Sequence, residues 1–562
     1  MKKILECVPN ISEGRDTKKI EAIAAVVETV EGVRLLDVDP GKATNRTVIT
    51  FAGDPDAVIE AAFRLVKKAA ELIDMSKHSG EHPRMGATDV CPLVPVAGME
   101  MEEVVAYARK LGQRIGEELS IPIYLYENAA TEPKRRNLAN CRSGEYEGLE
   151  NKFKDAAWQP DFGSTEASVF RKTGATAVGA RDFLVAYNIN LNTTSTRRAN
   201  AIAFDIRERG RVMRQGDPLT GPIVTDEKGE PVHIPGKLKA VKGIGWFIEE
   251  YGIAQISYNL TNINITPMHI AFEETVKSAQ ERGLRVTGSE LVGLVPLQAM
   301  LDAGKYFLRK QERSTGIPEK EILKIAIKSL GLDELAPFHP EDRIIEYKLR
   351  EGTKDPLLAM TLPAFADETA SESPAPGGGS ISAYVGALGV SLGTMVANLS
   401  AHKRGWDDRW EEFSDWADKG MEFQRTLLKM VDEDTRAFNR IMEAFGLPKN
   451  NESEMALRKQ AIADATRHAI EVPFQVMQLA LGSMEVMRVM AEIGNPNSVT
   501  DAAVGALCAR TAVEGAFLNV RVNCSGFGDK AFVEDKLAAG SQLLNQAKAI
   551  EAEVLQICDS KL

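Results

Sequence analysis

Hydrophobic and polar positions follow two different patterns along the chain. Up to about residue 330, short apolar runs rich in β-branched residues alternate with segments whose apolar residues recur every three or four positions. The chain opens β-α-β, and a second β-α-β-β-α-β order begins with a strand predicted at 177–191. From residue 380 onward only helical periodicity remains. The pattern predicts two α/β subdomains, each a split βαβ, ferredoxin-like sandwich, followed by an all-α helical bundle.

These patterns also predict the domain boundaries. We expect a first subdomain at 1–180, a second at 181–330, a linker at 331–372 and the helical domain at 373–562. The segment 210–235 is rich in Gly, Pro, Asp and charge, which is typical of a surface insertion. A cleft between two α/β subdomains is the default position for a ligand site.

Composition narrows the class of protein. The 562 residues carry a net charge of -12, which argues against binding nucleic acid by neutralising phosphates. Six widely spaced cysteines without a CxxC pair predict reduced thiols and no zinc site. The first residues lack the pattern of a signal peptide, and the most apolar window, Val385–Leu399, is shorter than a bilayer span. We therefore expect a cytoplasmic protein that does not cross a membrane.

The first candidate for chemistry is His82. It lies in the loop Gly80-Glu81-His82-Pro83-Arg84-Met85-Gly86, which leads directly into an apolar strand predicted at 90–96. An imidazole titrates near neutral pH, so a His held beside a proline and charged groups is suited to general acid or base catalysis. The alternative is that His82 is a surface or capping residue.

A second candidate lies in the helical domain. Gly377, Gly378 and Gly379 directly precede a predicted helix and leave backbone N–H groups open to a ligand, although the segment could instead be a flexible linker. On the helix predicted around 407–445, Asp434 falls on the apolar seam, so burial should raise its pKa. A buried structural or registry carboxylate is the alternative. Its neighbours Asp432 and Glu433 are expected on a solvated face.

Three polar residues near the C-terminus are weaker candidates. Asp501 follows a turn and is expected to cap a helix, or to line the pocket of Asp434. Asn519 and Asn523 are interleaved with apolar residues, and such amides either hydrogen-bond a heterocycle or join helices.

Several strings together carry a family resemblance. Those of the α/β region are Glu6-Cys7-Val8-Pro9-Asn10, Leu36-Asp37-Val38-Asp39, Thr44-Asn45-Arg46-Thr47, Gly80 to Gly86, Pro160-Asp161-Phe162-Gly163 and Tyr187-Asn188-Ile189-Asn190-Leu191, and those of the helical region are Ala375-Pro376-Gly377-Gly378-Gly379-Ser380 and Asp432-Glu433-Asp434. The first group resembles glutamate formimidoyltransferase, and the second resembles formimidoyltetrahydrofolate cyclodeaminase. In this order they cover nearly the whole chain and resemble the bifunctional formimidoyltransferase-cyclodeaminase family of histidine degradation.

The resemblance implies two consecutive reactions. The first transfers the formimino group from N-formimino-L-glutamate to N5 of tetrahydrofolate, and the second closes N10 onto the same carbon with release of ammonia. It makes His82 and Asp434 the catalytic groups, with Asp39 orienting the imidazole or the pterin amine. The alternatives are a formimidoyltransferase fused to a methenyltetrahydrofolate cyclohydrolase-like domain, or a non-catalytic folate-binding assembly protein.

The resemblance also implies a ligand set and an assembly. Tetrahydrofolate, polyglutamylated, is the co-substrate, no metal is expected, and the chain is expected to form a homo-oligomer, a ring of dimers. The segment 164–172 departs from the family in composition and the insertion at 210–235 in length. The implied folate-binding residues are Gly163, Arg171, Lys172, Gly174, Gly236, Lys237, Gly377, Gly378 and Gly379.

Overall fold

The computed structural model describes residues 3–42, 44–80, 82–217, 220–350 and 356–562, without the side chain of Arg350. Its contacts divide the chain into two compact units. The α/β unit comprises Met1–Ala303 and Leu330–Gly352, and the helical unit comprises Gly304–Ser329 and Thr353–Leu562. The predicted order, a sheet-containing region followed by a helical region, is confirmed.

The first half of the α/β unit is one mixed sheet with helices. Its strands are β1 (Ile4–Cys7), β2 (Asn10–Ile11), β3 (Val33–Gly41), β4 (Arg46–Gly53), β5 (Thr88–Ala97), β6 (Ile123–Glu127) and β7 (Thr176–Ala180). Its helices are α1 (Thr17–Ala24), α2 (Pro55–Leu72), α3 (Met101–Leu119), α4 (Leu138–Arg142), α5 (Leu149–Lys152) and α6 (Ala167–Thr173).

Strand pairing in this sheet explains where its polar residues lie. β1 and β2 both pair antiparallel with β4 on one side and β5 on the other, β3 pairs with β4, and β7 and β6 extend the sheet in parallel beyond β5. Helices α1, α2 and α3 cover one face, where Cys7, Ile11 and Leu93 are fully buried. Since successive strand residues point to opposite faces, Asn10 points away from this helical layer.

The second half of the α/β unit repeats the same strand order. The sheet β11-β12-β8-β13 is antiparallel throughout. When the strands are counted along the chain within each half, both sheets have the spatial order second, third, first, fourth. This order is β11-β12-β8-β13 in the second half and β3-β4-β1/β2-β5 in the first. The elements of this half are β8 (Val185–Leu191), α7 (Thr196–Ile206), β9 (Arg211–Val212), β10 (His233–Ile234), β11 (Val241–Ile248), β12 (Ile253–Leu260), α8 (Met268–Gln280) and β13 (Val286–Val292). The helices that follow in the chain are α9 (Leu297–Lys310), α10 (Glu319–Leu330), α11 (Pro340–Arg343) and α12 (Ile345–Arg350), of which α10 and the end of α9 belong to the helical unit.

One sequence prediction differs from the structure in this region, and the structure adds detail to another. The single strand predicted at 177–191 is two strands, because the chain turns at 181–184 and leaves β7 in the first sheet and β8 in the second. The predicted insertion at 210–235 contains the strand pair β9 and β10 and further short bridges, so it is a hairpin-like excursion. Residues 218–219 of that insertion, and 351–355 of the predicted linker, lie outside the described residues.

Residues 304–329 belong to the helical unit by their contacts, which differs from the predicted subdomain boundary at 330. The backbone N–H of Thr315 donates to Oγ of Ser414 at 2.9 Å, and Lys305 pairs with Asp418 at 2.6 Å. The remaining helices of the unit are α13 (Leu362–Thr369), α14 (Gly378–Ala401), α15 (Trp410–Gly446), α16 (Glu452–Ile493), α17 (Val499–Cys524) and α18 (Lys530–Lys561).

Helix α14 packs at the centre of the helical unit. It is long and apolar enough to cross a membrane by length and composition, but 61% of its most apolar window is buried inside the protein. The core helix of a bundle has the same pattern. Small residues allow α14 and α17 to pack closely, since a Cβ added at Gly505 would lie 2.7 Å from the carbonyl oxygen of Gly389.

This close packing predicts that Gly505→Ala destabilises the helical unit. The added methyl cannot fit against the Gly389 carbonyl without moving a helix, and such overpacking costs roughly 1–3 kcal/mol. The matched control is Gly446→Ala at the end of α15, where nothing lies within 4 Å of the new Cβ. Urea unfolding of both variants checks this. Equal stability of the two variants would contradict the close approach.

Candidate functional site

The loop that carries His82 is tied to the sheet at several points. Oγ of Ser12 donates to the carbonyl of Gly86 at 2.7 Å, and Nδ2 of Asn45 donates to the carbonyl of Ser79 at 2.9 Å. Gly174 packs against the far end of the loop with φ +67°, and a Cβ there would lie 2.1 Å from the carbonyl oxygen of Met85. The loop position is therefore set by β2, the turn before β4 and the end of α6.

The imidazole of His82 is half-buried and has two neighbours at one ring nitrogen. Nδ1 lies 2.9 Å from Nη1 of Arg46 and 2.6 Å from the carbonyl oxygen of Pro83. Among the described residues, none hydrogen-bonds Nε2. Nε2 is thus the ring nitrogen available to a substrate.

A buried ion cluster holds Arg46 in place. Asp89 is fully buried, and its Oδ2 accepts from Nη1 of Arg46 at 2.7 Å and from Nη2 of Arg142 at 2.6 Å. Its Oδ1 accepts from the backbone N–H of Met85 at 3.0 Å. Oδ1 of Asn10 accepts from Nε and Nη2 of Arg46 at 3.0 and 2.8 Å. A carboxylate with these donors is satisfied although no water reaches it.

This environment lowers the pKa of His82. The main cause is partial burial, and the positive charge of Arg46 adds to it, while the hydrogen bond with the Pro83 carbonyl opposes the shift. Both leading causes disfavour the imidazolium. His82 is therefore mainly neutral at pH 7 and able to accept a proton.

The structure does not bring Asp39 to the imidazole. Asp39 lies exposed on the edge strand β3, opposite Val48 of β4. In the part of the chain that the structure describes, it forms no hydrogen bond or ion pair with His82. These contacts disagree with the prediction that Asp39 orients the imidazole. The alternative, that Asp39 contacts the pterin amine, stays a prediction.

Two surface cavities lie near these groups. One of ≈ 500 Å³ is lined by the predicted folate-binding residues Arg171 and Lys172 of α6, together with Asp74, Ser76, Ala167 and Ser168. The other, of ≈ 510 Å³, lies beside the His82 loop and is lined by His78, Ser79, Gly80, Arg84, Gly144, Glu145 and Glu147. In the second cavity Arg84 is already paired with Glu145 and Glu147, so the first is the better match to an anionic ligand tail.

The predicted glycines of the α/β unit have visible packing roles. A Cβ at Gly163, with φ +89°, would lie 2.0 Å from the carbonyl oxygen of Ile121, and one at Gly236 would lie 2.1 Å from that of Arg207. The backbone N–H of Lys237 donates to the carbonyl of Asp205 at 2.7 Å. These packing roles do not test folate binding, which stays a prediction for each residue.

The second site is at the N-terminus of α14. The backbone N–H of Ser380 donates to Oδ2 of Asp434 at 2.9 Å, and the Ser380 hydroxyl lies 3.1 Å from the same oxygen. A Cβ at Gly379 would lie 2.1 Å from Oδ1 of Asp434, so only glycine permits this approach. Burial raises the pKa of Asp434, and the two Ser380 contacts partly oppose the rise. The structure thus places the predicted glycines and the predicted carboxylate together.

The neighbours of Asp434 differ from expectation. Asp432 is buried and not on a solvated face, because its carboxylate accepts from the backbone N–H groups of Leu357 and Leu358 at 3.1 and 3.3 Å. Glu433 is half-buried and lies 3.1 Å from Nε2 of His468. Asp432 therefore anchors the segment before α13.

The two amides on α17 separate into two roles. Nδ2 of Asn523 donates to the carbonyl of Ala469 at 2.7 Å and so joins α17 to α16. Asn519 bonds within its own helix and approaches the glycine turn, since a Cβ at Gly378 would lie 3.2 Å from its Nδ2. Asp501 lies in the first turn of α17, where its charge complements the helix dipole.

Sequence reasoning missed the cluster of Arg46, Asp89 and Arg142. The sequence contains an indication of this cluster, because Asp89 lies in a run of apolar residues typical of a buried strand. An ionised group in such a position requires charged or hydrogen-bonding partners. Within the described residues, no group of three or more His, Cys, Asp or Glu is placed to hold a metal ion. The chemistry that the described residues can support is proton transfer at two separate places.

Comparison with known proteins places the chain in a family. Three family models match: formiminotransferase domain, N-terminal subdomain, at 4–181, formiminotransferase domain at 186–350, and formiminotransferase-cyclodeaminase at 361–542. The chain is 42% identical over 556 residues to formimidoyltransferase-cyclodeaminase of Mus musculus, which covers 99% of this chain and 98% of the mouse protein.

Two shorter relatives match parts of the chain. Glutamate formimidoyltransferase of Thermoplasma acidophilum is 42% identical over 326 residues, 58% of this chain and 98% of that protein. Methenyltetrahydrofolate cyclohydrolase of Methylorubrum extorquens is 35% identical over 202 residues, 36% of this chain and 97% of that protein. Since the full-length relative is matched almost end to end, the chain belongs to the formimidoyltransferase-cyclodeaminase family.

Proposed function

We propose that this chain is a bifunctional folate enzyme of histidine degradation. Its α/β unit transfers the formimino group from N-formimino-L-glutamate to tetrahydrofolate. Its helical unit cyclises the resulting 5-formimino-tetrahydrofolate to 5,10-methenyltetrahydrofolate and releases ammonia. The observation that carries the proposal is the near full-length match to formimidoyltransferase-cyclodeaminase in a chain with two separate proton-transfer groups, His82 and Asp434.

The first reaction moves one proton from N5 of tetrahydrofolate to the glutamate nitrogen that leaves. N5 of tetrahydrofolate attacks the formimino carbon and loses a proton, and the bond from that carbon to the glutamate nitrogen breaks as the nitrogen gains one. His82 suits both steps, because its pKa is lowered and its Nε2 faces no hydrogen-bond partner among the described residues. Nε2 would accept the proton from N5 and return it to the leaving nitrogen.

The second reaction has the same proton balance on a different carbon–nitrogen pair. With the formimino group in its protonated, amidinium form, N10 closes onto the carbon and loses a proton. The bond from carbon to the amino nitrogen breaks as that nitrogen gains a proton and leaves as ammonia, and the positive charge stays on the methenyl product. A carboxylic acid with a raised pKa can accept and donate in turn. Asp434 fits this role, since Ser380 holds its Oδ2 while Oδ1 faces the glycine turn.

Tetrahydrofolate is the co-substrate of the transfer, and its 5-formimino derivative is the substrate of the second reaction. Its glutamate tail, polyglutamylated by our proposal, needs cations, and Arg171 and Lys172 line a cavity of ≈ 500 Å³. The remaining proposed contacts are Gly163, Gly174, Gly236 and Lys237, with Gly377 to Gly379 in the helical unit. Asp39 is proposed to contact the pterin amine from the edge strand.

The same proposal covers the finer architecture. Two copies of a β-α-β-β-α-β unit with equal strand order support the assignment of two ferredoxin-like subdomains, at 1–180 and 181–330, and a cyclodeaminase domain at 373–562. We also propose a homo-oligomer, supported by the exposed apolar side chains of Leu388, Leu399 and Leu518. Six free cysteines support a reducing, cytoplasmic location.

A cyclohydrolase-like helical unit is the second candidate, favoured by the match to methenyltetrahydrofolate cyclohydrolase. The two candidates differ in the release of ammonia. Supplying 5-formimino-tetrahydrofolate to the full chain and measuring ammonia together with methenyltetrahydrofolate absorbance decides between them. Cyclohydrolysis without ammonia would favour the second candidate.

The two-site assignment predicts that His82→Ala abolishes only the transfer reaction. Loss of a general acid–base group typically costs about 10²- to 10⁴-fold, while ammonia release from supplied 5-formimino-tetrahydrofolate should be unchanged. His339→Ala, an exposed histidine of the same unit, is the control. Loss of both partial reactions in a folded His82→Ala protein would refute the assignment.

Asp434→Asn is expected to abolish ammonia release and keep transfer.

Asp434→Asn should also stabilise the helical unit at neutral pH. The pKa of Asp434 is higher in the folded protein than its value of 3.8 in the unfolded chain, so its protonated form contributes to the stability of the fold. This contribution is fully present below pH 3.8 and is lost as the pH rises through the raised pKa of the folded state. Asparagine stays neutral, so the gain in Tm over wild type should shrink as pH falls. Asp559→Asn, on an exposed site, should change neither quantity.

Gly379→Ala is expected to impair the second reaction by displacing the carboxylate. The new Cβ would lie 2.1 Å from Oδ1 of Asp434, and a misplacement of about 1 Å can cost about 10²-fold in rate. Ammonia release measures the effect, with Gly446→Ala as control. A fully active Gly379→Ala enzyme would exclude the carboxylate position described above.

A further inference from the structure

Glu6 is a buried carboxyl to which the two proposed reactions give no role. It lies on β1 and is only 4% exposed, and in the part of the chain that the structure describes no hydrogen bond or ion pair reaches its carboxyl. Its oxygens are nevertheless not sealed, unlike the unpartnered Oγ1 of Thr88, and open onto space that water reaches. Buried carboxyls are normally hydrogen-bonded or paired, so this one points to a partner that the protein itself does not supply.

Strand register places Glu6 on the open face of the first sheet. Glu6 is opposite Val94 of β5, and its neighbours Leu5 and Cys7 are buried under the helical layer on the other face. The same open face carries Asn10, which binds the guanidinium beside the proposed catalytic imidazole. The carboxyl of Glu6 and the transfer site therefore adjoin one side of one sheet.

A second unpartnered group on this face is the hydroxyl of Tyr126. Tyr126 is 3% exposed, and no described residue hydrogen-bonds its hydroxyl. Its ring lies across Gly179 of β7, where a Cβ would be 2.6 Å from two ring atoms, and Gly179 is opposite Pro92 of β5. The ring thus extends over β7 towards β5, the strand that pairs with β1. The charge of Arg181 acts on both Tyr126 and Glu6, so the two groups border one region.

Charged groups from three other segments surround Glu6. Arg181, directly after β7, favours the ionised carboxyl, and Glu346 on α12 disfavours it. Arg34 of β3 shares the open face, because Arg34 is opposite Ala52 of β4 and Ala52 is opposite Glu6. Burial is the main cause that raises the pKa of Glu6 to about 7. The ionised form is thus poorly stabilised in the free protein and gains from a ligand that brings hydrogen-bond donors.

The substrates of the proposed transfer contain two units that suit such a carboxylate. A carboxylate accepts two parallel N–H bonds from the nitrogens of an N–C–N unit. One such unit is the formimino group of N-formimino-L-glutamate, and the other is N3–H with the 2-amino group of the pterin. The formimino carbon reacts beside His82, whereas the pterin pair belongs to the ring that does not carry N5. Strand residues rise about 3.3 Å each, so Glu6 lies roughly 13 Å along the sheet from Asn10, which favours the pterin pair.

We propose that Glu6 is a specificity-determining residue of the transfer site, whose carboxylate binds N3–H and the 2-amino group of the pterin of tetrahydrofolate. This inference rests on the proposed function of the α/β unit. It orients the pterin along the open face, with the ring that carries N5 directed towards His82. No bond is made or broken at Glu6, so its effect is on the affinity for tetrahydrofolate and not on the rate of the bound complex.

The test compares the full chain with Glu6→Gln, which keeps the size of the side chain and removes its charge. The Kd of tetrahydrofolate should rise roughly 10- to 100-fold, because hydrogen bonds to a charged group are lost. An analogue with hydrogen in place of the 2-amino group should bind wild type weakly and lose little more in the variant. KM for tetrahydrofolate should rise with Kd, while kcat at saturation changes little. Glu102→Gln, an exposed residue of α3, is the matched control and should change neither constant.

Wild-type protein alone provides a second measurement, which decides even if Glu6→Gln does not fold. The Kd of the 2-desamino analogue divided by that of tetrahydrofolate should be largest above pH 7 and shrink as the pH falls below it, because protonation of Glu6 removes an acceptor for the 2-amino group. Titration of His82 acts on both ligands alike and cancels in this ratio. A ratio that does not change with pH would overturn the proposal.

Equal affinity of wild type and Glu6→Gln for tetrahydrofolate would also overturn it. A loss confined to N-formimino-L-glutamate, with binding of N-formyl-L-glutamate unchanged, would assign the carboxyl to the amidine and exclude the pterin contact. Failure of the proposed function is a different result. It would appear as a wild-type chain that transfers no formimino group to tetrahydrofolate, while the Kd comparison would still report whether Glu6 contacts the pterin.

Discussion

Close approach of the backbone, at positions where a Cβ would not fit, places both proposed proton-transfer groups of this protein. Gly174 lets the end of α6 press against Met85 and so sets the loop of His82, with 2.1 Å between its hypothetical Cβ and the Met85 carbonyl. Gly379 lets Asp434 come within reach of the first turn of α14. In each unit a side chain of ordinary chemistry acquires its role because a neighbouring segment has no side chain.

The two sites then use opposite electrostatics to reach a similar end. A partly buried imidazole beside a fixed cation has its pKa lowered, so it is a base at neutral pH whose conjugate acid readily gives up its proton. The Asp434 carboxyl, with two polar contacts from Ser380 that partly oppose the effect of burial, has its pKa raised, so it can hold a proton where an exposed aspartate would not. The two shifts thus favour the basic form of His82 and the acidic form of Asp434.

Two other buried carboxylates, Asp89 and Asp432, have structural partners. Asp89 receives two arginines and a backbone N–H, and Asp432 receives two backbone N–H groups, so neither has an oxygen left for a substrate. Asp434 differs because, among the described residues, hydrogen bonds reach only one of its oxygens. The donors that reach each aspartate therefore separate Asp89 and Asp432, which anchor chain segments, from Asp434, which we propose to be catalytic.

The local pattern of the chain was enough to determine the order of elements, the change from α/β to all-α, and the two candidate groups His82 and Asp434. Periodicity and turn residues are local properties, so they can be read without the fold. Tertiary structure decided what local patterns cannot contain. It split the strand predicted at 177–191 between two sheets, moved residues 304–329 to the helical unit, and buried Asp432. It also replaced Asp39 by Arg46 as the neighbour of His82, because strand order brings β4 and β5, and not the edge strand, to that loop.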